Sequence, residues 1–221
     1  MSDFSLQNLN KILENYTYDT TEAWNAEDIQ IPFAIKASDY LAYAYDDFKI
    51  IDNHHLVNCL SNIKRALDCQ NDSLLLVFGL FKKSKDERWK FRDKVDILNR
   101  IGVISPSFLK KINISRNYLE HEYSIPDKKD VEDSLDIASL YLKYTEKYLK
   151  NIMTEIYIDN YFAKLDYRNQ KIAFISLEYN EGGGHSIIEQ IKCDSSEYLD
   201  YLKWYIAIMD KKERTPPPIY G

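Results

Sequence analysis

Residues 107–149 read SFLKKINISRNYLEHEYSIPDKKDVEDSLDIASLYLKYTEKYL, and their punctuation decides the fold class. Pro126 disfavours the helical conformation of the residue before it, so a helix over Ser107–Tyr123 should stop before it. Asp127 then offers a carboxylate to cap a second helix. In that second helix Val131, Leu135, Ala138, Leu142, Leu149, Ile152 and Ile156 step by threes and fours, with Thr145 filling the gap. Such a stripe faces a core of other helices.

Working outward, the same pattern recurs upstream. From Pro32 the chain reads as helices over Phe33–Phe48 and His54–Asp68, the second with Asp52 and Asn53 as capping oxygens. A short apolar piece, Ser73–Phe81, precedes a basic helical segment, Lys85–Ile101, which Gly102 ends and Ser105-Pro106 follows. Leu6, Leu9, Ile12 and Leu13 give a short amphipathic helix, and Tyr16–Gln30 is expected to be a connector. Downstream the period becomes two. Tyr161, Ala163, Leu165 and Tyr167 share one face, Arg168-Asn169-Gln170 makes a turn, Lys171–Tyr179 alternates, Gly182-Gly183-Gly184 reverses the chain, and His185–Cys193 forms a third strand. Leu199, Leu202, Tyr205, Ile206 and Met209 mark a final helix, and Pro216-Pro217-Pro218 an extended tail.

The expected architecture is mainly α: an antiparallel helical bundle with a small C-terminal α/β appendage, a three-stranded antiparallel meander plus a helix. Its divisions are an N-terminal arm (1–30), the bundle (31–154), the appendage (155–212) and the tail (213–221).

Composition bounds the function. Hydrophobic content of 45% and charged content of 29% are those of a globular protein with a full core. The 18 tyrosines, against 9 phenylalanines, suit half-buried helix faces or a subunit interface, or reflect the base composition of the gene. A net charge of -6 argues against coating long nucleic acid, but leaves room for a local basic cleft. Residues 82–94, KKSKDERWKFRDK, hold seven basic residues against three acids; the ordinary reading of such a run is a solvated helix face. Cys59, Cys69 and Cys193 match no zinc-ligand spacing and read as reduced thiols. The N-terminal residues lack a basic and apolar leader pattern, and Leu74–Phe81 is too short to span a bilayer. A cytoplasmic protein without membrane contact is expected.

The chemistry sits in Arg116-Asn117-Tyr118-Leu119-Glu120-His121-Glu122-Tyr123. At 100° per residue Asn117 and His121 stack one turn apart, and Arg116 aligns with Tyr123. Arg offers a planar fork for phosphate oxygens and His moves protons near neutral pH, so the set can act on phosphate without metal. Read on spacing alone, the pair is more simply a surface Arg and a helix-end His complementing the dipole.

This region resembles the HEPN superfamily of helical bundles, whose members carry an Arg, usually a polar residue, then His four to six positions later. Arg116-Asn117-x-x-x-His121 fits that form, and Tyr123 matches the Arg-x-x-x-x-His-x-Tyr variant found beside minimal nucleotidyltransferases. The helices HHLVNCLSNIKRALDCQ and VEDSLDIASLYLKYTEKYL are similar in type, and the resemblance covers about residues 33–150. It implies a metal-independent endoribonuclease without cofactor, in a defence, stress or toxin–antitoxin setting. His121 would be the proton acceptor or donor, Arg116 the transition-state stabiliser and Asn117 the positioning group. The resemblance further implies RNA as substrate, a homodimer, and an antitoxin or nucleotidyltransferase partner for which Tyr123 is a modification site. Glu120 and Glu122 depart from an RNA-friendly surround. They favour the alternative, a catalytically inactive HEPN-like RNA- or nucleotide-binding or scaffolding module. His54-His55 point about 100° apart and are poor co-ligands, residues 180–186 (NEGGGHS) lack a phosphate-loop pattern, and Trp24, Trp89 and Trp204 read as packing residues.

Overall fold

The computed structural model describes residues 3–15, 21–50, 54–105, 126–150, 152–158, 160–181 and 185–214. Among these the protein is mainly helical. The helices are α1 (Leu6–Glu14), α2 (Ala37–Lys49), α3 (His55–Val77), α4 (Phe81–Asp86), α5 (Phe91–Arg100), α6 (Lys128–Thr145) and α7 (Tyr198–Arg214). The strands are β1 (Thr21–Glu27), β2 (Ile152–Ile158), β3 (Tyr161–Arg168), β4 (Lys171–Glu181) and β5 (His185–Lys192).

The long helices form the bundle. Asn62 on α3 donates to Asp47 near the end of α2, and the Cys69 thiol reaches the Ile35 carbonyl just before α2 begins. The two helices therefore run in opposite directions. Lys128 at the start of α6 lies over the Phe48 ring, while Ser139 meets Tyr45, so α6 also opposes α2 and runs with α3. Asp127 caps α6 as expected, accepting from the Lys129 N–H at 2.8 Å.

Helix α3 is longer than its sequence suggests. The apolar piece 73–81 is not separate: Gln70, Asn71 and Ser73 are buried within the continuous helix, where Gln70 Nε2, Asn71 Oδ1 and Ser73 Oγ are hydrogen-bonded. It ends in a Schellman motif: the Leu80 N–H bonds Leu75 O and the Gly79 N–H bonds Leu76 O. Gly79 has φ +72°, and a Cβ there would collide with the carbonyl oxygen of Ile172 and sit 3.2 Å from Cys193 Cβ. Only glycine lets the end of the bundle touch the sheet here.

The segment expected as one helix over 85–101 is two. Arg88 takes φ +55°, and Trp89 N–H and Arg88 N–H close a second Schellman motif on Ser84 O and Lys85 O. Gly102 ends α5 in a third, with the Val103 N–H on Leu98 O.

The sheet is a five-stranded antiparallel meander in the order β1-β2-β3-β4-β5. Two strands were hidden in the sequence. The expected long helix stops at Thr145 and a 3-10 turn, Glu146–Tyr148, rather than running through Ile156. Ile152 and Ile156 fit a four-residue step and a two-residue step equally; with Thr154 and Ile158 they form the buried face of β2. The stretch 16–30, expected as a connector, holds β1, which pairs with β2 from Thr21↔Ile158 to Glu27↔Ile152. The bundle is thus inserted between two neighbouring strands of one sheet. Asn169 (φ +52°) and Gln170 (φ +65°) make the expected β3–β4 turn, the mirror-image turn that matches strand twist.

Helix α7 covers the inner face of the sheet. Leu202, Tyr205, Ile206 and Ile208 are essentially inaccessible, and Tyr205 donates to Met153 O. Its other contacts bind α1: Tyr201 donates to Phe4 O at 3.0 Å, Trp204 to Leu9 O at 3.0 Å and Lys211 to Leu13 O at 2.6 Å. Tyr198 reaches Phe78 O at 2.9 Å, so one apolar core runs from bundle to sheet.

Candidate functional site

Arg116, Asn117, His121 and Tyr123 lie outside the described residues. What is described are the two helices that bracket them. The chain leaves α5 through Ile101, Val103 and Ile104, all buried, to Ser105, and re-enters at Pro126 before the α6 cap.

The seam between α3 and α6 is polar at its centre. The Gln70 amide nitrogen donates to Thr145 Oγ1 at 2.7 Å, and Thr145 Oγ1 donates in turn to Tyr141 O at 2.7 Å. One helical turn away the Tyr141 hydroxyl donates to Asn71 Oδ1 at 2.5 Å. Burial pushes the Tyr141 phenol far above its ordinary range. The seam therefore holds neutral donors and acceptors, which position helices and do not transfer protons near neutral pH.

The basic run 82–94 is partly structural. Lys94, only 8% exposed, pairs with Asp72 of α3, and Lys85 reaches the same carboxylate at 3.2 Å. Arg92 approaches Asp96 one turn on, and the Trp89 indole donates to Glu87 at 2.8 Å. Asp72 thus pairs with two of the seven cations, offsetting one unit of their charge, and pins α4 and α5 to α3.

A cavity of about 640 Å³ opens where the segment after β1 crosses the bundle. Ile29 and Ile31 form one wall, Leu41 and Ala42 of α2 a second, and Leu142 of α6 with Leu149 a third. The crossing segment is fastened at two adjacent residues, by the Ile29 N–H on Leu149 O at 2.8 Å and the Gln30 N–H on the Gln170 side chain at 3.0 Å. Gln70 and Ser73 give the cavity polar groups from α3, and Tyr45 and Ser139 add hydroxyls. Ser139 donates to Leu135 O, so the Tyr45 hydroxyl is the donor in their 2.7 Å bond. Lys36, Lys143 and Lys150 stand among the lining residues with Asp28 and Glu146. Glu146 takes Lys150 at 2.6 Å and Lys143 at 3.0 Å, and these hydrogen bonds hold its carboxyl below the usual range. The described lining residues thus offer hydroxyl, amide, carboxylate and ammonium groups beside an aliphatic wall.

One signal for these residues existed in the sequence: Gln70-Asn71-Asp72-Ser73 sets four consecutive polar residues directly before the apolar run Leu74–Val77. Among the described residues no group of three His, Cys, Asp or Glu side chains is placed to hold a metal ion, and no helix is long and apolar enough to cross a membrane. The chain matches no family model, no curated protein and no solved structure.

Proposed function

We propose that the chain is a metal-independent endoribonuclease of the HEPN type, acting on RNA as a homodimer in a defence, stress or toxin–antitoxin setting. The observation that carries this reading is Arg116-Asn117-x-x-x-His121 in the sequence, directly before the Pro126-Asp127 break that starts α6. The opposed directions of α2 against α3 and α6 support it, since an up-and-down bundle requires that alternation. In this reading His121 accepts the proton of a ribose 2′-hydroxyl as its oxygen attacks the adjacent phosphorus. Arg116 holds the non-bridging oxygens as negative charge gathers on them, and Asn117 fixes the scissile phosphate. The P–O5′ bond breaks, the 5′-oxygen takes a proton, and a 2′,3′-cyclic phosphate and a 5′-hydroxyl remain. Tyr123 would be a site for inhibitory nucleotidylation by a partner.

One observation favours a second reading, a HEPN-like RNA- or nucleotide-binding or scaffolding module without catalysis. The net charge is -6, and part of the basic run is neutralised by Asp72. Incubation of a mixed RNA pool with EDTA separates the two. Cleavage that leaves cyclic-phosphate ends and disappears in His121→Ala is the expected result. Intact RNA in the presence of folded, wild-type protein would replace the enzyme by the binding module.

A further inference from the structure

We propose that the cavity between the crossing segment 28–31 and helices α2, α3 and α6 binds a small aromatic carboxylate that carries a ring N–H. The proposal is independent of the ribonuclease reading. Three features of the cavity define the ligand. Its volume, about 640 Å³, lies within the range of small-molecule sites. Ile29, Ile31, Leu41, Leu142 and Leu149 give its walls an aliphatic part, which suits an apolar body such as a ring system.

The second feature is Gln70. It is 4% exposed, and its Nε2 is taken by Thr145. That orientation is fixed, because Thr145 Oγ1 has given its own hydrogen to Tyr141 O and can only accept from Gln70. Gln70 Oε1 is left as an acceptor without a donor among the described residues, on a side chain that lines the cavity. That oxygen is open to solvent on the cavity side, so a ligand N–H would take the place of water there. The polar contact is specific in sign: Gln70 asks for a donor.

The third feature is charge. Lys36, Lys143 and Lys150 face Asp28 and Glu146, an excess of one positive charge. Glu146 holds Lys143 and Lys150 on either side of itself, and each ammonium keeps further N–H donors. The first turn of α2, whose residues Ala37 and Ser38 also line the cavity, adds the positive end of a helix, partly offset by Asp39 on the Lys36 N–H. Ammonium groups and a helix N-terminus around one opening favour an anionic end on the ligand.

The test uses the full chain, isotopically labelled, and three probes: indole-3-acetate, 1-benzofuran-3-acetate and 3-methylindole. The second lacks the N–H and the third lacks the carboxylate. Indole-3-acetate at millimolar concentration is expected to shift the amide resonances of residues 36–42, 70–73 and 142–150. Each of the other two should bind several-fold more weakly, as loss of one hydrogen bond or one solvent-exposed ion contact implies. Lys36→Gln with Lys143→Gln leaves the core untouched and should weaken indole-3-acetate several-fold, with less effect at high salt. Absence of shifts at these residues overturns the site. Equal binding of the benzofuran overturns the role of Gln70, and equal binding by the lysine variant overturns the anionic class.

Discussion

The hydroxyl of Tyr141 donates to Asn71 Oδ1 across the centre of the α3–α6 seam, with both side chains fully buried. Asn71 Nδ2 has no partner there, so the pair sits on an amide already half satisfied. Tyr141→Phe removes the remaining bond and should lower stability by about 1–3 kcal/mol, because the Asn71 oxygen is then buried unpaired. Adding Asn71→Leu to that variant should recover part of the loss. Urea denaturation of both variants checks this, and a double variant no more stable than the single would show that the seam depends on packing alone.

Gly79→Ala should cost about 2–4 kcal/mol. It places a Cβ against the Ile172 carbonyl at a positive φ, combining backbone strain with overpacking. The loss should appear as a lower denaturant midpoint with the slope unchanged; an unaltered midpoint would mean that the α3 end and β4 do not touch.

Arg88→Gly should stabilise the protein, by about 0.5–1 kcal/mol. Arg88 holds a left-handed conformation at the end of α4, where a Cβ is strained and glycine is not. Thermal unfolding of the two forms decides it, and a lower Tm in the glycine variant would place the value of Arg88 in its side chain.

At high pH the fold should fail through its phenols. Burial raises the Tyr141, Tyr198 and Tyr205 hydroxyls above 10, and burial with the nearby Asp47 pushes the Cys59 thiol up to about 12. Groups whose folded pKa is raised bind protons more tightly when folded, so their contribution is complete below the unfolded values and is lost as pH rises through about 9–10 and beyond. Absorbance at 295 nm should therefore show exposed tyrosines ionising first and a later, cooperative step coinciding with loss of helix by circular dichroism. One smooth wave with the helices intact would contradict the burial of these rings.

Much of this architecture is written locally. Asp127 announces the start of α6, Gly102 the end of α5, and Arg168-Asn169-Gln170 the β3–β4 turn, because caps and turns are decided by a few adjacent residues. The end of α6 was illegible since Ile152 and Ile156 satisfy both periodicities and only the partner strands choose between them. Strand β1 depends on a partner about 130 positions away, which no local pattern reports. The cavity was hidden for a related reason. Lys36, Gln70 and Lys143 are ordinary in their own segments and acquire meaning only when three helices bring them together. Arg116 and His121 show the opposite case, a pattern plain in the sequence that the described residues do not reach.

The pairing of β1 with β2 also orders events during synthesis. When β1 emerges from the ribosome its partner has not been made, and the whole bundle must be translated before residue 152 appears. The nascent chain therefore carries an unpaired strand for several seconds at ordinary elongation rates of about 5–20 residues per second. Closure of the sheet is a long-range event that comes after the helices have a chance to form, and it ties the two ends of the translated segment together. A newly made molecule would thus acquire its completed sheet last, leaving any holdase a window in which β1 is the accessible handle.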